Sequence, residues 1–204
     1  MPLTAARRAL RRARYGEPVI VVSGLPRSGT SMAMQMLAAG GVEPVTDGLR
    51  TPDESNPQGY YELERVKDLE KTTDWAWLGD ARGRAVKIIT FLIPHLPETF
   101  NYKVIFMQRR LGEVLASQTK MLDSLGEAND AEDRRMRELY INHVARTKSL
   151  LAHRPCFEAL HLQYEAVVAD GKEHAERISR FLGRRLDTAA MAAVISPDLY
   201  RNRR

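Results

Sequence analysis

The sequence predicts an α/β fold: a single three-layer domain with a central parallel sheet of four to five strands flanked by helices. Three observations carry this. Short apolar runs rich in β-branched residues recur at Val19-Ile20-Val21-Val22, Ala85 to Ile89, Lys103 to Met107 and Phe157 to Gln163. Helical patterns separate them, the alternation that a parallel sheet covered on both faces requires. The 204 residues are 44% apolar and 28% charged, which suits one globular domain with a real core and argues against disorder.

The elements follow in order. Residues 1–15 contain Arg7, Arg8, Arg11, Arg12 and Arg14 and no acid. This stretch is Ala/Arg-rich and is expected to be helical to about Arg14. The chain has 31 Lys+Arg and 26 Asp+Glu, a formal net charge of +5. The five arginines account for all of it. Residues 1–15 are therefore read as a basic N-terminal arm and 16–204 as an electrically balanced domain. The pI of about 9.5 is thus poor evidence for a nucleic-acid-binding fold, and no specific nucleic-acid partner is expected.

Pro18 to Ser23 reads as a buried strand bounded by Pro and Gly. A Gly/Pro turn spans Gly24 to Ser31. A helix from Ser31 to Ala39 ends at Gly40-Gly41, a natural C-cap. Residues 43–61 are polar and hold Pro44, Gly48, Pro52, Pro57 and Gly59; a loop of that length in a compact domain is usually functional. A helix is expected from about Glu62 to Trp75. Further helices are expected at 111–122, 130–153 and 171–182, the last ending at Gly183, with a short one at 187–195. Right-handed crossovers would line up the loops after the strands along one sheet edge, where ligands bind.

Composition excludes other classes. Cys156 is the single cysteine, so an internal disulfide framework and a Cys-based zinc site are ruled out. The longest apolar stretch, Met32 to Val42, is too short to span a bilayer and is interrupted by Gln35. No apolar run follows the basic start, so neither a signal peptide nor a transmembrane segment is expected. A reducing cytoplasm is the simplest compartment.

Gly24-Leu25-Pro26-Arg27-Ser28-Gly29-Thr30-Ser31 has the spacing of a phosphate-binding loop, preceded by a strand and followed by a helix. It departs from the nucleotide-triphosphatase pattern at one position. Thr30 stands where that pattern has the Lys that reaches the β- and γ-phosphates. The backbone amides of 28–31 can still wrap a phosphate at a helix N-terminus, with Arg27 supplying a cation. The fold class is accordingly P-loop NTPase-like.

Pro26-Arg27-Ser28-Gly29-Thr30-Ser31 resembles the 5′-phosphosulfate-binding loop of sulfotransferases that use 3′-phosphoadenosine 5′-phosphosulfate (PAPS). A second segment resembles the same family. Val104 to Gln108 leads into Arg109, and Ser117 follows eight residues later. In the family an Arg and a Ser at this spacing hold the 3′-phosphate. Arg109-Arg110-Leu111 lacks the family's frequent Pro, but both phosphate ligands remain. A third, Tyr164-Glu165-Ala166-Val167 with Phe181-Leu182-Gly183, is similar to the family's Tyr-Glu-Asp-Leu stretch and later Phe-Leu-Gly. The matches run from about residue 19 to 183, in the family's order.

The resemblance implies a metal-independent sulfotransferase. It would move a sulfuryl group from PAPS to a hydroxyl or amine of a small-molecule or saccharide acceptor, leaving 3′,5′-adenosine bisphosphate. Arg27, Ser28, Gly29, Thr30 and Ser31 would hold the 5′ end, Arg109 and Ser117 the 3′-phosphate, and Tyr164 would lie near the nucleotide. Sulfuryl transfer needs cations near the bridging oxygen and a base for the acceptor proton. Arg27 and Lys87 are the candidate cations. Glu62 ranks first as base, ahead of His95, Asp53 and Glu54. Tyr60, Tyr61, Trp75 and Trp77 either line an acceptor pocket under 43–61 or pack in the core. Two alternatives stay open: a P-loop nucleoside or small-molecule kinase, which the absent lysine weakens, and a non-catalytic nucleotide- or polyanion-binding protein. A homodimer is also open.

Overall fold

A computed structural model of the chain describes residues 5–48, 61–116 and 130–195, with backbone alone for 130–134. Four strands build the sheet: β1 (Val19–Gly24), β2 (Ala85–Lys87), β3 (Tyr102–Gln108) and β4 (Phe157–Gln163). Their order is β2-β1-β3-β4 and every pair is parallel. Val22 lies opposite Lys87 on one side, and Gly24 lies opposite Met107 on the other. The C-terminal ends of β1, β2 and β3 thus form one contiguous edge.

Alternation along the strands explains the three layers. Val19, Val21, Val86, Ile88, Val104 and Phe106 face one layer and pack against Leu78, Ile93 and Leu151. Leu151 belongs to the long helix Asp130–His153. Ile20, Val22, Ile105, Met107 and Leu162 face the other, against Met34, Leu37, Ile178 and Met191. These come from α2 (Thr30–Ala39) and from two helices near the C-terminus, Gly171–Leu182 and Thr188–Ala193. With α1 at Ala5–Tyr15, α3 at Ala76–Asp80, α4 at 111–116 and α6 at Tyr164–Ala169, these three become α5, α7 and α8. The architecture is the single α/β domain expected.

Local signals set the helix ends. Asp170 accepts the Glu173 amide at 2.9 Å and starts α7, and Gly183 closes it at φ 68°. Gly40 closes α2 by donating its amide to Met36 O at 2.9 Å. A Cβ there would meet Met191 Cγ at 2.7 Å, so close packing of α2 on α8 requires glycine.

The expected helix from Glu62 to Trp75 does not form. A 3₁₀ turn covers Glu64–Asp68, and α3 begins only at Ala76. Side chains compete with the helix in between. Thr72 Oγ1 accepts the Asp74 amide at 3.0 Å, and Asp74 Oδ1 accepts the Ala76 amide at 3.0 Å. Such local turns offer the backbone an alternative to helical bonds. The second strand is also shorter than Ala85 to Ile89, because the chain turns into a 3₁₀ helix at Thr90–His95.

The basic arm is helical and docked. α1 crosses the N-terminal edge of the sheet. Arg11 donates from Nε to Asn101 Oδ1 at 3.0 Å and from Nη2 to the carbonyls of Glu98 and Phe100 at 2.8 and 3.1 Å. Asn101 returns bonds to the carbonyls of Arg11 and Gly16 at 3.1 and 3.0 Å. Arg8 pairs with Glu158 at 3.0 Å, and Arg12 pairs with Glu17. Among the described residues, no helix is long and apolar enough to cross a membrane.

Candidate functional site

The loop after β1 turns through two positive-φ residues, Arg27 at 67° and Gly29 at 97°. Arg27 thus holds a conformation that L-residues seldom adopt, a feature that concentrates at functional sites. The Ser28 amide donates to Leu25 O at 3.1 Å and tightens the turn. A Cβ on Gly24 would lie 2.3 Å from Ser28 Oγ and 2.6 Å from Met107 O, so the strand can end there only in glycine. Ser28 is buried at 1% exposure, and its Oγ has no hydrogen-bond partner among the described residues.

α2 starts at Thr30 with Gly29 as its N-cap and no side-chain cap. The amides of its first turn therefore point past the helix end without intrahelical acceptors, where the helix dipole favours an anion.

Two clusters of charge flank this turn. On the β2 side, Lys87 Nζ lies 3.3 Å from Ser31 Oγ and 3.4 Å from Glu62 Oε1. The Lys87 side chain is 9% exposed and that of Glu62 28%. Lys87 is the C-terminal residue of β2 and turns its ammonium to the start of α2. Glu62 is held from behind, its carbonyl accepting Thr46 Oγ1 at 2.8 Å.

On the β3 side, Arg109 follows the last strand residue. Its Nε donates to Glu113 Oε2 at 2.9 Å, and both side chains are buried, at 7% and 3% exposure. Its Nη1 donates to the Arg27 carbonyl at 3.3 Å. Its Cζ lies 4.5 Å from the centre of the Tyr164 ring. Tyr164 in turn packs on the loop, since a Cβ at Gly29 would lie 2.4 Å from Tyr164 Cδ2. Burial raises the Tyr164 phenol above its ordinary range, with Arg109 opposing, so the ring is a neutral platform at physiological pH.

The structure thus brings Arg27, Ser28, Gly29, Thr30, Ser31, Glu62, Lys87, Arg109 and Tyr164 to one edge of the sheet. His95 closes the 3₁₀ turn at Thr90–His95, and among the described residues no hydrogen bond joins it to this group. Ser117, Asp53, Glu54 and Tyr60 lie outside the described residues. Trp77 is buried in the core beneath the sheet, and Trp75 packs against the same cluster. Glu113 is absent from the sequence expectations. It stands four residues after Arg109, the spacing that places two side chains on one helical face.

A cavity of about 310 Å³ opens beside the loop on the α5 side, lined by Leu25, Ser28, Arg109, Leu111, Tyr140 and Val144 among others. Its wall is mostly apolar, with charged groups where it meets the loop.

Comparison with known proteins adds the family. The family model described as Sulfotransferase domain matches residues 17–197. Among solved structures, the chain is similar to the sulfotransferase domain from the curacin biosynthetic pathway. The TM-score is 0.53 at 16% identity, over 90% of this chain and 79% of that one. It is also similar to sulfotransferase STF1 from Mycobacterium tuberculosis H37Rv. That match has a TM-score of 0.53 at 18% identity, over 92% of this chain and 73% of that one. At these identities the likeness is one of fold. No curated protein matches the chain in sequence. The family match spans all four strands, the loop and both charge clusters, and the chain belongs to the sulfotransferase domain family.

Proposed function

We propose that this sulfotransferase takes PAPS as donor and transfers its sulfuryl group in line to a hydroxyl or amine of a small-molecule or saccharide acceptor. The observation that carries the reading is the placement of Lys87. From the end of β2 it reaches both Ser31, at the head of α2, and Glu62, within 3.4 Å. A cation and a carboxylate therefore converge beside a turn built to receive an anion. The site fits such a donor in other respects. Ser28 keeps a buried hydroxyl with no partner among the described residues, and the first-turn amides of α2 offer donors to anionic oxygens.

Each residue then has one task. The amides of 29–31 and the Ser28 and Ser31 hydroxyls hold the 5′ phosphosulfate. Arg109, braced by Glu113, binds the 3′-phosphate through the edge of its guanidinium not turned to Glu113, with Ser117 as the second ligand. Tyr164 supports Arg109 from below. The adjoining apolar cavity accepts an organic group attached to the bound anion. Glu62 takes the acceptor proton as the new bond to sulfur forms. Lys87 and Arg27 stabilise the charge that collects on the departing phosphate oxygen.

Titration calorimetry with 3′,5′-adenosine bisphosphate, set beside ATP with magnesium, tests the donor. Binding of the bisphosphate that is lost in the Arg109→Ala/Ser117→Ala variant supports the reading. Preference for ATP with magnesium would sink it in favour of a kinase. Glu62→Gln should retain nucleotide binding and lose transfer, and full activity would remove Glu62 as the base.

A further inference from the structure

A second cavity lies at the opposite end of the sheet. It has a volume of about 540 Å³ and sits between α1, the N-terminal ends of β3 and β4, and the end of α7. β3 is seven residues long and separates the two ends by about 20 Å, so this basin is distinct from the transfer site. Five cationic side chains line it, Arg8, Arg11, Arg12, Lys103 and Arg180, against one carboxylate, Glu158. The rest of its wall includes Phe181 and Tyr102.

The cations of this basin are crowded. α1 places Arg8 and Arg12 one helical turn apart, with no acid on the helix, an arrangement that destabilises a helix by like-charge repulsion. No side chain of α1 is buried, so apolar packing does not explain why it lies here. Lys103 is pushed below its ordinary value by burial. Glu158 pulls it back up, but Arg12, Arg8 and Arg184 lower it further. The partners of the arginines are weak holds. The Arg12–Glu17 and Arg180–Glu176 pairs are exposed and the Arg8–Glu158 pair, at 3.0 Å, is half-exposed, and such pairs contribute little. Arg11 is fully committed, as a strut to Asn101 and two carbonyls, and Lys103 spends one of its three N–H donors on the Phe181 carbonyl at 2.6 Å.

We infer that this basin is a binding site for a small ligand carrying at least two phosphate or sulfate groups. Arginine forks recognise such groups with paired charge-assisted bonds. One oxyanion spans Arg8 and Arg12, a second sits between Lys103 and Arg180, and Phe181 covers the organic part. The ligand is small because the cations gather around one basin of about 540 Å³. The remainder of the chain balances its acids and bases, and a nucleic acid needs an extended run of cations along its backbone.

Titration calorimetry of the full chain with pyrophosphate at physiological ionic strength tests this. It is run on the wild type and on Arg12→Ala/Arg180→Ala, each with the loop intact and with the loop site disabled by Arg27→Ala/Lys87→Ala. The Arg12 and Arg180 side chains are exposed, and an unchanged melting temperature confirms that the variant folds. The expected result is one saturable event that persists with the loop disabled and weakens about tenfold or more when Arg12 and Arg180 are replaced. Equal affinity in the variant, or no saturable event beyond the loop, overturns the inference. So does tighter binding of a single-stranded oligonucleotide or an anionic vesicle at the same residues. If the bisphosphate itself fails to bind, the donor reading falls, while the event sensitive to Arg12 and Arg180 still decides the basin.

Discussion

Gly29→Ala is the sharpest probe of how the loop is assembled. The added methyl would sit 2.4 Å from Cδ2 and 3.0 Å from Cε2 of Tyr164, on a residue with φ of +97°. Two carbons prefer about 3.5 Å or more, so the ring must withdraw by about 1 Å. A non-glycine residue at positive φ costs about 1–2 kcal/mol. Overpacking a well-filled site costs about 1–3 kcal/mol more. Gly29→Ala should therefore destabilise the fold by about 2–5 kcal/mol. In a Tyr164→Ala background the ring is gone and only the backbone part remains. A double-mutant cycle by urea denaturation should thus show a coupling of about 1–3 kcal/mol. The withdrawn ring also leaves Arg109 unsupported, so affinity for 3′,5′-adenosine bisphosphate should fall with it. Equal cost of Gly29→Ala in both backgrounds would refute the reasoning, because the contact with Tyr164 would then play no part.

Three further outcomes are expected. Glu113→Ala strips a buried arginine of its carboxylate and should cost about 3–5 kcal/mol in denaturant unfolding; saturating bisphosphate, by supplying a phosphate to Arg109, should restore part of that loss. Burial depresses both His143 and His161 below the ordinary value near 6.5, with Arg146 and Lys148 respectively acting in the same direction and the Thr90 hydrogen bond opposing at His143. Below that value the unfolded chain binds protons that the folded chain refuses, so stability is full above about pH 6.5 and declines as pH falls through the window beneath it. Melting curves at stepped pH should show the decline and His161→Phe should flatten it; a flat wild-type profile would contradict the assignment. Cys156 is buried and its thiol is pushed up to about 11 by burial, so a neutral-pH disulfide reagent should label it only after denaturation.

Much of this architecture can be read from residues alone, for physical reasons that differ by element. β4 spans Phe157–Gln163 as the pattern predicts, since Pro155 ends the preceding helix and Phe157, Ala159, Leu160 and Leu162 then supply strand-forming apolar positions. α7 is legible from Asp170 and Gly183, whose capping chemistry is local. The region from Glu62 to Trp75 misleads because Thr72 and Asp74 hydrogen-bond to nearby amides, and helix periodicity does not register that competition. The loop and Arg109 are legible as motifs. The stacking of Arg109 on Tyr164 is not, because the two are joined only when β3 and β4 pair in register. Glu113 carries a signal in its spacing from Arg109, but only the burial of both side chains shows that the pair matters.

The strand order has a kinetic consequence. The loop hangs from β1, Lys87 from β2 and Arg109 from β3. β1 lies between the other two, yet some sixty residues of chain separate it from β2. Local contacts form quickly during folding and distant ones slowly. A refolding chain therefore acquires α2 and its turn early and gains its two flanking cations only when both long closures are complete. Capture of a phosphorylated nucleotide would mark the last step of folding, reporting a finished sheet where helix content alone would not.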